Sequence, residues 1–383
     1  AAAAAAWREV PAEHPIGAQV GHLRTPAAAL AGGAALAAVR EARRQADRLA
    51  RAFPDDGRLR YVPPPGGLDL GATHWTHHAN GLTGRSVLDL LESAVLAGDR
   101  GGIEAGLHRL RQLARDGREV PRGAQTWEIP LHTPDLLASA HLTAAFTLGH
   151  ELTGDPALLD AARYWAWTGV PFVYLESPGP GPVGVFSTTP VLGATHWVAP
   201  NWIGLPVQWC GLVYADALRQ LAVQDPRGPW NTLARGLAVA AVQQTHPGPA
   251  RRLGGLLPDS FDLVAQVQNP VPINPGTALA VTIPVLAGET LLERRILRSR
   301  GWYLHAPGSL DSFREDPRGI SFCFRSFLPG PVEILLTGLR EAPEIRRGGR
   351  PEAAGTGWTW HPAEGAVVLR ASGREEFRVT GGR

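Results

Sequence analysis

Near residue 297 the chain changes its hydrophobic period, and that change limits the folds open to it. Up to that point apolar residues recur at helical spacing over 26–52, 84–98, 102–116, 134–152, 156–168, 206–223, 229–244 and 276–293, the pattern of helices that each bury one face. Beyond Arg298 they fall into short β-branched or aromatic runs such as Gly301-Trp302-Tyr303-Leu304, Ile320-Ser321-Phe322-Cys323-Phe324, Val332-Glu333-Ile334-Leu335-Leu336 and Ala366-Val367-Val368-Leu369-Arg370, separated by Gly, Pro and Asp. Such runs predict strands and turns of a small antiparallel β-sandwich. The chain therefore reads as an N-terminal extension (1–25), a helical catalytic domain (26–297) and a β-sandwich domain (298–383).

Within the helical part, Thr133-Pro134-Asp135 places a capping hydroxyl before Pro and an acid in the first turn, and Asp155-Pro156 does the same for the next helix. Thr153-Gly154-Asp155 closes a hairpin, whereas 169–205 is long enough to build a functional rim. Short turns alternating with long loops are what a ring of antiparallel helical hairpins needs. The fold expected is mainly α, an α/α toroid followed by the sandwich, with a plain helical bundle as the alternative.

Composition narrows the function by exclusion. The formal charge is +2 over 383 residues, and the basic residues are all Arg, so there is no electrostatic footprint for nucleic acid or an anionic membrane. No apolar run reaches the roughly 18 residues of a spanning helix. Missing Lys with abundant Ala, Gly, Pro and Arg points to a GC-rich, bacterial coding sequence. Cys210 and Cys323 lie too far apart in sequence for a metal or redox motif. The run Ala1 to Ala6 has the small residues that follow a secretory cleavage site, so a secreted or periplasmic location is one expectation and the cytoplasm the other.

One hexapeptide occurs twice, as Leu70-Gly71-Ala72-Thr73-His74-Trp75 and as Leu192-Gly193-Ala194-Thr195-His196-Trp197, each followed by an Asn and a Gly-Leu. In a ring of hairpins, equivalent loops open onto one cavity. Seven of the twelve Trp lie between Trp75 and Trp209, and eight of the thirteen His between His74 and His196. Sugars present flat C–H faces and hydroxyl rims, so they are bound by indoles flanked by polar side chains. The substrate-binding residues expected on this basis are His74, Trp75, His77, His78, Asn80, Arg122, Gln125, Trp127, His132, Trp197, Asn201, Trp202, Gln208, Trp209 and Tyr214. Core packing competes for some of the indoles, Trp165 and Trp167 first. The loop 121–135 carries Glu128 beside Trp127, and a carboxyl against an indole loses water, gains pKa and holds a proton for a leaving oxygen. Glu128 is the leading general acid, with Asp135, Glu176 or Asp69 as its partner. Tyr174 or Tyr214 with His196 would instead suit proton abstraction next to a uronate carboxylate. The His cluster lacks the carboxylate or Cys pattern of a metal site, and no cofactor is expected.

These features together resemble the six-hairpin glycosidase-like and toroid polysaccharide lyase families over residues 70 to 295. Asn201-Trp202-Ile203-Gly204-Leu205-Pro206 is similar to a shortened chondroitin-lyase signature, which implies that Asn201 neutralises a substrate carboxylate. Trp127-Glu128-Ile129-Pro130 with His132 and Asp135 resembles, more loosely, the sugar-ring loops of toroid glycosidases. The resemblance implies a carbohydrate-active enzyme on a poly- or oligosaccharide. Hydrolysis by carboxylates is the first reading, with β-elimination on a uronate glycan and non-catalytic glycan binding as alternatives.

Overall fold

The computed structural model describes residues 26–381 apart from 64, 67–68, 118, 128, 194–204, 249–252, 274 and 327. The chain divides into two compact units, one of residues 49–91 and 105–286, the other of residues 1–48, 92–104 and 287–383. No helix among the described residues is long and apolar enough to cross a membrane.

The fold is mainly helical, followed by antiparallel sheet. The helices are α1 (Ala27–Ala31), α2 (Ala35–Ala52), α3 (Asn80–Ala97), α4 (Arg100–Arg115), α5 (Leu136–Thr153), α6 (Pro156–Gly169), α7 (Gln208–Gln224), α8 (Trp230–Gln244) and α9 (Pro275–Thr282). In the first unit they alternate between an inner and an outer position. Every residue of α5 from Leu136 to Gly149 is buried, and α7 is buried on nearly all sides. These two inner helices pack on each other, while α6 and α8 fold back on them as hairpin partners. Small residues permit the close approach. A Cβ at Gly81 of α3 would stand 2.5 Å from the Ala138 Cβ, and one at Gly84 2.6 Å from Leu142 Cδ2. On the other side of α5, Gly149 faces Leu110 of α4 and Leu158 of α6. Full burial of Leu136, Leu142, Phe146 and Leu148 stabilises the fold by about 1.5–3 kcal/mol each.

Three expected helix boundaries are corrected. The segment 26–52 is not one helix, because Gly32 caps α1 and Gly33 takes a left-handed φ of 78°. The cap of α5 is Asp135 rather than Thr133: the Asp135 carboxylate accepts the Ala138 N–H at 2.8 Å. Pro134 instead lies in an extended bridge to Arg122. The helix expected over 276–293 ends at Thr282 and passes through a π turn at Ile283–Ala287. Pro284 lacks an N–H and Gly288 sits at φ 70°, so the regular ladder cannot continue. Trp165 is core, as expected, but Trp167 is 53% exposed on α6 with its ring edge-on to Trp230.

Two small strands, β1 (Phe261–Asp262) and β2 (Val267–Gln268), form a hairpin in the helical unit. The other unit holds two five-stranded antiparallel sheets. Their strands are β3 (Glu293–Leu297), β4 (Trp302–Ala306), β5 (Ser309–Asp316), β6 (Gly319–Arg325), β7 (Pro331–Thr337), β8 (Glu344–Arg347), β9 (Arg350–Glu352), β10 (Trp358–His361), β11 (Ala366–Ser372) and β12 (Arg374–Thr380). One sheet has the order β10-β11-β7-β4-β3 and the other β5-β6-β12-β8-β9. Leu335 and Val368 pack with Leu30, Ala35 and Val39 of α1 and α2. Their neighbours Ile334, Leu336, Val367 and Leu369, which alternation places on the opposite face, are also fully buried. Both cysteines are buried and neither forms a disulfide.

Candidate active site

The inner helices α3, α5 and α7 start at one end of the helical unit, and three loops tie those starts together. The Asn80 side-chain Oδ1 accepts the Arg122 N–H at 3.1 Å, and the Gly81 N–H donates to the Arg122 carbonyl at 2.9 Å, so loop 121–135 is fastened to α3. That loop then runs into Asp135 at the head of α5. The segment 187–192 joins α5 to α7: Leu136 N–H donates to Pro190 O, and Val207 N–H donates to Thr188 O. Both copies of the repeated hexapeptide begin just before an inner helix, the first before α3 and the second before α7. The second is described only at Leu192 and Gly193.

The first copy meets loop 121–135 through imidazoles. His132 Nε2 accepts the Trp75 N–H at 3.1 Å, and its ring stacks on the Trp75 indole with centroids 3.6 Å apart and planes 5° from parallel. Burial, and then the Arg122 guanidinium with Nη1 3.3 Å from Nδ1, hold His132 down to about 4. The ring is therefore neutral at ordinary pH, as an acceptor nitrogen requires. One step deeper, His74 Nε2 accepts the Leu131 N–H at 3.0 Å while the Tyr61 ring stands edge-on at 4.7 Å. Burial, with His77 next, also lowers the His74 pKa, and burial with nearby Arg58 lowers that of His78. His78 lends its carbonyl to Arg122 Nη1, and His77 is exposed. The outcome is an indole held rigidly on one face by a neutral imidazole and 78% exposed. Trp127, on the facing loop, is 38% exposed.

Asp135 is fully buried beneath this rim. Its Oδ1 accepts from Ala138 N–H and its Oδ2 from Ala124 N–H at 3.0 Å, with Gly123 and Gln125 also donating. Burial outweighs these donors and pushes the carboxyl up to about 7. Gln125 is buried with it and donates from Nε2 to Pro190 O at 3.0 Å. Asp135 thus ties loop 121–135 to α5 and has no exposed atom to offer a substrate.

The other expected residues are distributed as follows. Gln208 is buried at the head of α7, accepting from Thr188 N–H and Gln244 and donating to Phe186 O and Leu237 O. Tyr214 is deep in α7, with its hydroxyl donating to Ala166 O and its pKa raised by burial. Tyr174 is half-buried in an extended segment paired with Ser187, and Glu176 is exposed two residues on. Exposed Asp69 accepts the Gly71 N–H at 2.8 Å. Glu128, His196, Trp197, Asn201 and Trp202 lie outside the described residues. Among the described residues no group of three His, Cys, Asp or Glu side chains is arranged to hold a metal ion.

One carboxylate escapes the sequence reading. Half-buried Asp259 sits over the first turn of α7, where its Oδ1 accepts the Trp209 Nε1–H at 3.4 Å. Burial raises its pKa and the Trp209 donor opposes the rise. Nothing in Leu257-Pro258-Asp259-Ser260 separates it from a turn acid, so only the fold reveals it.

No protein-family model matches the chain, and no curated protein matches it either. Among solved structures it is similar to UGL, an unsaturated glucuronyl hydrolase, with dGlcA-Glc-Rha-Glc, at 14% identity and TM-score 0.40 over 67% of this chain and 69% of that one. A GH127 β-L-arabinofuranosidase from Geobacillus stearothermophilus T6 matches at 12% identity and TM-score 0.30, covering 87% of this chain and 66% of the other. A further GH127 β-arabinofuranosidase matches at 11% identity and TM-score 0.33, covering 98% and 73%. The chain spans about two thirds to three quarters of the length of these structures.

Proposed function

We propose that this chain hydrolyses glycosidic bonds of a poly- or oligosaccharide at the rim formed by the heads of the inner helices. The observation that carries the reading is the Trp75 indole, backed on one face by His132 and open on the other. A rigid, solvent-facing aromatic plane flanked by imidazoles and Arg122 has the shape and polarity of a sugar ring's partner. An indole serving only the core would be buried.

Glu128 is the proton donor in this reading, on the loop that also carries Trp127. Asp135 acts through the loop: it fastens 121–135 to α5 and touches no substrate. In this reading Trp197, Asn201 and Trp202 of the second hexapeptide region are further sugar-binding residues. The eliminating alternative, with Tyr174 or Tyr214 as base beside His196 and Asn201, is left with Tyr174, because Tyr214 spends its hydroxyl on Ala166 and burial makes it a poor base. A panel of neutral and uronate-containing glycans separates the readings. Reducing ends released without unsaturated products support hydrolysis, growth of unsaturated-uronate absorbance overturns it in favour of elimination, and silence on the whole panel favours binding alone.

A further inference from the structure

The backbone decides where the imidazole behind Trp75 carries its proton. His132 Nε2 accepts the Trp75 N–H at 3.1 Å and the Thr76 N–H at 3.4 Å. A neutral ring that accepts at Nε2 has its proton on Nδ1, which makes Nδ1 a donor. That Nδ1 lies 3.3 Å from Arg122 Nη1, and a guanidinium can only donate. Two donors therefore face one another. Moving the proton to Nε2 would not relieve the conflict, because two backbone N–H groups already point there. Burial first, and the Arg122 charge second, keep the ring from taking a second proton. What the pair lacks is an acceptor. A hydroxyl supplies one in part, whereas an oxyanion offers lone pairs alone and meets the guanidinium's charge as well. Arg122 is held in place by donating from Nη1 to the His78 carbonyl at 3.4 Å and from Nη2 to Glu119 Oε2 at 3.2 Å. Its side chain is 19% exposed and that of Glu119 44%, so the pair reaches solvent.

We propose that Arg122 Nη1 and His132 Nδ1–H together receive an oxyanion of the glycan, a carboxylate or a sulfate ester; this rests on Trp75 being the sugar platform of the site. The His132 ring lies 5° from parallel to the indole and is stacked on it, so Nδ1 points past the edge of the platform and not out of its open face. The anion is then a substituent reaching round that edge, or part of the neighbouring unit, and the open face is left to the C–H side of the stacked sugar. Arg122 becomes the specificity-determining residue, with His132 supplying the second N–H. Glu119 shares the guanidinium and opposes an incoming anion by like charge.

The test is binding to the whole chain, followed by tryptophan fluorescence at constant ionic strength with methyl glucuronide, glucose 6-sulfate and methyl glucoside. Wild type should bind one of the two anionic sugars at least tenfold more tightly than the glucoside, and the tighter one names the group. In Arg122→Gln the three affinities should fall within about twofold of one another, and in Glu119→Gln the anionic preference should widen about threefold. Nitrogen NMR of the labelled protein should show His132 protonated at Nδ1, with that signal moving on addition of the anionic sugar and not of the glucoside. The NMR and Glu119→Gln results stand even where Arg122→Gln does not fold. Equal binding of all three sugars, a preference that survives in folded Arg122→Gln, or a His132 proton on Nε2 overturns the proposal. Cleavage of neutral glycans without any anionic preference overturns it and leaves hydrolysis intact. Anionic preference without cleavage of any glycan supports it and overturns the hydrolytic reading.

Discussion

His132 holds the most exposed aromatic plane of the rim, and its charge state governs whether it can. With Nε2 accepting the Trp75 N–H, the neutral ring is the folded form, and burial sets its pKa at about 4, below the ordinary 6.5. A histidine depressed in this way stabilises the fold fully above pH 6.5, and that contribution is lost as pH falls toward 4. Asp135 has the opposite sign. Its folded value, pushed up to about 7 from 3.8, favours the protonated carboxyl, so its contribution is present below 3.8 and is lost as pH rises through 7. Because the two trends oppose, variants must separate them. His132→Gln keeps an acceptor that does not titrate, and its melting temperature should fall less than that of wild type between pH 6.5 and 4. Asp135→Asn should gain relative to wild type between pH 4 and 7, whereas Asp135→Ala loses the α5 cap and costs about 1 kcal/mol in chemical denaturation. Trp75→Ala should raise KM about tenfold, the equivalent of about 1.4 kcal/mol of stacking, and leave kcat within a factor of about three.

Loop 121–135 is positioned by the junction of α3 and α5, which packs backbone against backbone. Gly81 is the tightest point, since a side chain there would also stand 2.6 Å from the Arg122 carbonyl that its own N–H bonds. Gly81→Ala should therefore cost about 1–3 kcal/mol in denaturant unfolding and lower activity beyond the stability loss, because the strain enters the loop that carries Trp127. Much of this element-level order was legible in sequence. The helical period marked α3 to α8 because each buries a face, and the runs at 301–304, 320–324, 332–336 and 366–370 all became strands. Misread elements had physical reasons. Asp135 outcompeted Thr133 as a cap because a carboxylate accepts two backbone N–H groups at once. Among the strands, β12 reads as Arg374-Glu375-Glu376-Phe377-Arg378-Val379-Thr380, with only Phe377 and Val379 buried, so its charge hid its period.

At the scale of the whole molecule, the site is a product of contacts that no local pattern announces. The repeated hexapeptide drew attention to Trp75, yet what makes that indole a platform is His132, 57 residues away in sequence. Sequence favoured Tyr214 and Gln208 because their residue types bind sugars. Burial in α7 gives both internal partners instead, which a single helical period cannot reveal when a helix is covered on all sides. Cleavage of glycosidic bonds by carboxyl groups at this rim can be checked in a single comparison. Reducing ends released from the best glycan of the panel are measured for wild type and for Glu128→Gln, with unsaturated products followed in the same tube. Wild type should release reducing ends without unsaturated products, and Glu128→Gln should lose at least a hundredfold. Unsaturated products from wild type, or a Glu128→Gln variant active within a few-fold, would contradict cleavage by carboxyl groups.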